Sequence, residues 1–244
     1  MKPFLLLATR AEDDAADAEY QSFLQFGGLE EKDLHHIRLE AEPLPRLDLG
    51  DYSGIFLGGS PFNASDPEDA KSDVQLRVER DLGMLLDRVV ARDMPFLGAC
   101  YGIGTLGRHQ GGVIDTRYSE PVGAVKVRLS ADGVADPLLA GLPTSFLAFV
   151  GHKEACSELP PSAVLLASSG TCPVQMFRVG ANVYATQFHP ELDVDALVHR
   201  ISIYRHAGYF PPEEAEEYMA RARKLTVDQP QAIVGAFVRR YATN

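Results

Sequence analysis

The chain has 244 residues, enough for one large α/β domain or two small ones, and its 45% hydrophobic content can bury a sizeable core. A formal net charge of −11 and a pI near 5.1 exclude a general nucleic-acid binder, which needs a basic surface to displace counterions. The three cysteines, Cys100, Cys156 and Cys172, are too few for a disulfide framework and do not stand at metal-ligand spacing. A reducing compartment is therefore expected, with no metal and no cofactor. The first apolar run ends at Arg10, too short for a signal peptide, and no segment approaches the roughly 20 apolar residues that span a bilayer. A cytoplasmic protein with no membrane partner is expected.

Residues 4–9 read as a buried strand and 13–26 as a helix, opened by acidic residues that suit a helix N-terminus. A weaker strand follows at 34–39. The next strand, 54–57, ends in Gly58-Gly59 and gives way to a polar loop over 60–69. The stretch 73–91 places Val74, Val78, Leu82, Leu85, Leu86 and Val89 on one helical face. Residues 94–99 form a strand and 101–109 a helix closed by Gly111-Gly112. This alternation predicts an α/β fold with a mostly parallel central sheet and helices on both faces.

The second half reads differently. Val125, Val127 and Leu129 alternate with Lys126 and Arg128, the pattern of a half-exposed antiparallel strand. Short strands follow at 146–150, 164–167, 174–179 and 183–188, then a helix at 194–204. Beyond Pro211-Pro212 lie two further helices, around 213–223 and 231–241. The organisation expected is one domain over 1–205, with a small antiparallel portion, and a helical C-terminal extension over 206–244 packed on it.

Three local patterns carry chemistry. In Pro95-Phe96-Leu97-Gly98-Ala99-Cys100-Tyr101-Gly102 an apolar strand runs into a Gly-x-Cys-x-Gly turn with a helix directly behind it. This is the cysteine version of a nucleophile elbow. The helix N-terminus is expected to favour the thiolate of Cys100, lowering its pKa from roughly 8.5. In Gln187-Phe188-His189-Pro190-Glu191, residues two apart project to one side of an extended segment, so His189 and Glu191 share a face. A carboxylate beside an imidazole holds one ring nitrogen protonated and aims the other at a nucleophile. The third pattern is Gly58-Gly59-Ser60-Pro61, where a glycine lets a backbone N–H turn toward a ligand. The N–H groups of Gly59 and Tyr101 together would make an oxyanion hole. Each pattern alone has a plainer reading, as a core cysteine, a solvated turn or a strand end; three in this order are far more specific than any one.

These elements resemble the class I glutamine amidotransferases over roughly residues 4–204, and most of all the stand-alone proteins similar to the amidotransferase part of GMP synthase. Gly151-His152-Lys153-Glu154, with Leu159-Pro160 and Ala167-Ser168 downstream, is similar to their stretch before the His-Pro-Glu strand. The resemblance implies a flavodoxin-like fold and a triad of Cys100, His189 and Glu191. Cys100 would attack the side-chain amide of glutamine, giving a γ-glutamyl thioester and ammonia for a separate synthetase chain, and water would release glutamate. The family has Gln four residues after the nucleophile, where this chain has Gly104. That departure leaves free glutamine and a larger γ-glutamyl compound both open as substrate, with a stand-alone γ-glutamyl hydrolase as the alternative and a non-catalytic regulatory protein as a third. Gly104 and His152 stand as candidate substrate-binding positions, the structural alternatives being a neighbouring side chain that fills the space at Gly104 and a strand-end cap at His152.

Overall fold

The computed structural model describes residues 1–243. In chain order the elements are β1 (Phe4–Ala8), α1 (Asp13–Gly27), β2 (Leu34–Arg38), β3 (Gly54–Leu57), α2 (Asp73–Arg92), β4 (Phe96–Ala99), α3 (Tyr101–His109), β5 (Val113–Asp115) and β6 (Glu120–Leu129). They continue with α4 (Ala131–Ala135), β7 (Ser145–His152), β8 (Ala155–Glu158), β9 (Ala163–Ser168), β10 (Met176–Val179), β11 (Val183–Thr186), α5 (Val194–Ile203), α6 (Ala215–Ala222) and α7 (Gln231–Tyr241).

A nine-stranded sheet in the order β2-β1-β3-β4-β11-β10-β9-β6-β7 organises the chain. The first five strands run parallel, and the antiparallel strands continue the same sheet through β11. The expected α/β architecture with a mostly parallel centre is therefore present. Strand β1 shows why both faces must be covered. All five of its residues are buried, with Phe4 and Leu6 in one core and Leu5 and Leu7 in the other. Helices α1 and α7 close the first core, where Phe237 packs on Phe4 and Phe56 at centroid distances of 6.1 and 5.0 Å. Helix α2 closes the second core with Val78, Leu82, Leu85, Leu86 and Val89. Val74 is exposed, against expectation, because Gln75 takes the inward position in the first turn and donates to Asn63 O.

A third core lies beneath α5 and α6, built from Phe149, Leu197, Ile201, Phe210 and Met219. Short strands β5 and β8 pair with each other as a separate two-stranded sheet. At three and four residues they carry too little alternation to be legible as strands. Among the described residues no helix is long and apolar enough to cross a membrane.

Candidate active site

Adjacent strands deliver the two chemical motifs to one place. Strands β4 and β11 are parallel partners with Ala99 opposite Thr186, and Cys100 N donates to Thr186 O at 2.7 Å. Cys100 is thus the first residue past the end of one strand, and His189 the third past the end of its neighbour. An 89-residue separation in sequence is closed by register alone. This is the crevice at the carboxyl ends of parallel strands, where open α/β sheets place their ligands.

The turn at Cys100 is tight. Its φ of 52° puts a non-glycine residue in the positive-φ region, and α3 starts immediately after it. A Cβ on Gly98 would come within 2.8 Å of Gly102 Cα, so a glycine is needed at 98 for strand and helix to cross this closely, whereas a Cβ on Gly102 would meet only Leu57 at ordinary contact distance. The thiol does not sit at the lowered pKa expected from the helix N-terminus. Burial pushes it up to about 12, and the carboxylates of Glu191 and Glu154 add to the rise, while Arg10 and Arg200 oppose it. At this half-buried residue, desolvation outweighs the helix dipole.

His189 Nδ1 donates to Glu191 Oε1 at 2.7 Å, leaving Nε2 as the acceptor. Glu191 is fully buried. Burial works to raise its carboxyl, but His189 and Arg200 outweigh it and hold the group well below the usual carboxylate range. Burial lowers the His189 imidazole below its ordinary value, helped by Arg200 and Arg10 and opposed by Glu191. The ring is therefore neutral near pH 7, the form able to accept a proton. Cys100 and His189 line one cavity without a hydrogen bond to each other. Both border the same point: a Cβ on Gly59 would lie 2.9 Å from His189 Cε1 and 3.7 Å from Cys100 Cβ.

The N–H of Gly59 has no acceptor among the described residues, and that of Tyr101 opens α3, where no intrahelical partner exists. Gly58 N by contrast donates to Leu7 O.

Gly104 and His152 turn out to be occupied by the protein itself. A Cβ on Gly104 would stand 2.7 Å from Glu154 Oε1, so the space left by the missing Gln side chain is filled by a carboxylate. Glu154 is buried and accepts from Ala64 N and Ser65 N at 2.8 and 2.7 Å, which ties down the loop after β3. Burial raises its carboxyl above the ordinary value. His152 places Nδ1 2.8 Å from Glu154 O and Nε2 2.8 Å from the buried Glu120. Neither ring nitrogen is left for a substrate, so its role is to hold this loop and β6 together.

Four charged residues escaped the sequence reading: Arg10, Glu19, Arg200 and the Glu154 already described. Arg10, just past the end of β1, donates from Nε to Glu19 at 3.0 Å and from Nη1 to Tyr204 Oη at 3.2 Å. Its remaining Nη2 reaches 2.7 Å from a Cβ position on Gly59, beside the nucleophile. Glu19 and Tyr204 keep its pKa above the ordinary value against the effect of burial, so it is always charged. Arg200, on α5, donates to Glu191 Oε1 at 3.1 Å and lies 3.6 Å from Glu19. The glycine pair after β3 was the available signal, since a Cβ on Gly58 would overlap Glu19 and one on Gly59 would meet Arg10.

Comparison with known proteins is consistent with this geometry. A family profile described as Glutamine amidotransferase class-I matches residues 31–201. The glutamine-hydrolyzing GMP synthase of Neisseria meningitidis serogroup C is 25% identical over 201 residues, covering 79% of this chain and 36% of that protein. The chain thus spans about a third of that relative. In Thermoplasma volcanium, a protein named as one subunit of the glutamine-hydrolyzing GMP synthase is 28% identical over 165 residues, 66% of this chain and 75% of that one. The crystal structure of a glutamine amidotransferase from Thermotoga maritima superposes with a TM-score of 0.73 over 99% of this chain and 98% of its own, at 18% identity, a likeness of fold. With more than half of its length matched by the family profile, the chain belongs to the class I glutamine amidotransferase family.

Proposed function

We propose that this protein hydrolyses γ-glutamyl amides, glutamine among them, through a thioester on Cys100. His189 Nε2 takes the thiol proton as sulfur attacks the γ-carbonyl carbon, and the N–H groups of Gly59 and Tyr101 receive the oxyanion. The proton then passes from His189 to the leaving nitrogen, the C–N bond breaks, and the thioester is hydrolysed by a water that His189 deprotonates. Glu191 keeps the ring in the tautomer this needs.

With a thiol held near pKa 12, a resting thiolate is not the nucleophile; the proton moves as the bond forms. The observation that carries the reading is the neutral, Glu191-oriented imidazole bordering the same point as the thiol of a strained strand–helix turn.

Where glutamine is the substrate, ammonia goes to a separate acceptor chain, as the names of the relatives that are subunits suggest. A second reading, a γ-glutamyl hydrolase acting alone, is favoured by the replacement of the expected Gln by Gly104 and Glu154.

The test is covalent labelling. A glutamine-like chloroketone should add one equivalent to Cys100, located by mass spectrometry, and Cys100→Ala should lose both label and amidase activity while keeping the circular dichroism of the parent. Label on Cys156 or Cys172 with Cys100 untouched would reject the assignment.

A further inference from the structure

Two chambers meet at Cys100, and they differ in chemistry. The narrower one is bordered by Asn63, Tyr101, Glu154 and Gln187. It is the acyl side, because it holds the Tyr101 end of the proposed oxyanion hole. It also offers a carboxylate, Glu154, whose oxygens retain lone pairs beyond the two N–H groups they accept. Gln187 adds a buried Oε1 with no partner among the described residues. Both suit the α-ammonium of a γ-glutamyl group.

The other chamber is bordered by His189, Arg10, Arg200, Tyr204 and Phe210. A leaving group must depart on the side of the imidazole that protonates it, and His189 borders this chamber alone. It is the roomier of the two, and its lining extends to Leu192, Leu197 and Ile201, beyond what a lone ammonia would touch.

The charge in this chamber is directional. Arg200 is turned back onto Glu191 and Glu19. Arg10, 4% exposed, spends Nε and Nη1 on Glu19 and Tyr204 and leaves Nη2 without a partner among the described residues, beside Gly59. A buried guanidinium with a free N–H facing a reaction cavity is a ready partner for a carboxylate.

From this we infer that the leaving-group chamber recognises an amine that carries a carboxylate, so that the preferred substrates are γ-glutamyl amino acids, with Arg10 contacting the carboxylate of the departing residue. The inference rests on the thioester reading above. The reaction balances with water alone: the γ-amide C–N bond breaks, the nitrogen gains the proton carried by His189, and glutamate and a free amino acid are released.

The experiment compares γ-glutamylglycine with γ-glutamylglycinamide, which differ only in carboxylate against carboxamide on the leaving group. Wild-type kcat/KM should favour γ-glutamylglycine by about tenfold or more, the scale of one charge-assisted hydrogen bond. Arg10→Met should bring the ratio to near one, and Arg10→Lys should keep part of it. Because Arg10→Met strands buried Glu19, the double variant Arg10→Met/Glu19→Gln is measured alongside, with chloroketone labelling of Cys100 as the check on an intact site. Equal rates on the two dipeptides in the wild type overturn the inference while leaving the thioester reading in place. So does a ratio that survives in the labelled double variant. A loss of glutamine turnover in Arg10→Met as large as the loss of γ-glutamylglycine turnover also overturns it, since Arg10 would then serve the glutamyl half. Failure of the chloroketone to label wild-type Cys100, with no dipeptide hydrolysed, removes the thioester reading and the inference together.

Discussion

Replacing Glu191 with glutamine isolates what the buried carboxylate does. In the native site one oxygen, Oε1, serves two donors, His189 Nδ1 at 2.7 Å and Arg200 Nη1 at 3.1 Å. A glutamine there has one acceptor atom and one donor atom. With its oxygen in the Oε1 position it still accepts from both, and its NH₂ takes the place of Oε2, a buried atom with no partner among the described residues. Turned over, its NH₂ would face both the Nδ1–H and the Arg200 guanidinium, donor against donor. The first arrangement wins and keeps the proton on Nδ1. What is lost is the negative charge: the imidazolium formed on proton transfer has no counter-charge, and a buried NH₂ is left without an acceptor.

In a serine protease the equivalent change lowers kcat about 10⁴-fold. Here Glu19, 3.6 Å from Arg200, retains part of the local negative charge. A fall in kcat of about 10³-fold is expected for Glu191→Gln, equal to about 4 kcal/mol of barrier. KM should change little, because Glu191 is fully buried behind the ring and borders neither chamber. Steady-state release of ammonia from glutamine measures both constants, and the thermal midpoint checks that the fold is kept. A variant that retains more than a tenth of the native kcat would refute the counter-charge reasoning.

Two further outcomes follow from the electrostatics and the packing. Activity needs the neutral imidazole, and burial with two nearby arginines favours that form. The acid limb of kcat/KM should therefore have its midpoint below the ordinary histidine value of about 6.5, with activity full above it and lost as pH falls through it. Arg200→Met removes one of the cations that depress His189 and should move that limb to higher pH; a limb that stays put or moves lower would show the attribution to be mistaken. Gly104→Gln, which restores the family residue, should not restore a glutamine contact: its Cβ alone meets Glu154 Oε1 at 2.7 Å, so overpacking should cost about 1–3 kcal/mol. In denaturant melts the cost should shrink when Glu154→Ala is added, since the two side chains compete for one space; simple additivity would contradict that.

Much of the site was legible because its signals are local. A strand, a turn with glycines two residues on either side of a cysteine, and a helix start are written consecutively, and helix α3 covers the residues read for it. His189 and Glu191 sit together because an extended His-Pro-Glu needs no other part of the chain to align them. Arg10, Glu19, Arg200 and Glu154 were not legible for the opposite reason. Glu19 stands in an acidic stretch of α1 that looks like a solvated face, and Arg10 looks like the polar stop after a strand. They become buried partners only because β1 and β3 lie side by side in the sheet, bringing the end of β1 against Gly58-Gly59. The misjudged thiol has the same origin. A helix N-terminus can be read from sequence, but the depth at which it is buried depends on what closes over it. Here Tyr204, Tyr209 and Phe210, far along the chain, border the cavity that holds Cys100.

That closure explains how a strained cysteine with a high pKa is compatible with catalysis. A non-glycine residue at positive φ costs about 1–3 kcal/mol and persists only where its surroundings over-determine it. The constraints are visible: the Cys100 N–H is fixed to Thr186 O, and Gly98 and Gly102 are in contact at the crossing. What the strain achieves is position, setting the thiol beside the point shared by Gly59 and His189. Dryness then has two effects that pull apart. It disfavours the resting thiolate. It also strengthens every dipole and charge aimed at the oxyanion and the imidazolium once substrate has entered. Under the proposed mechanism the consequence is selectivity for a substrate that brings its own acyl carbon and proton acceptor to the turn, since only then would His189 and the two free N–H groups act on the thiol together.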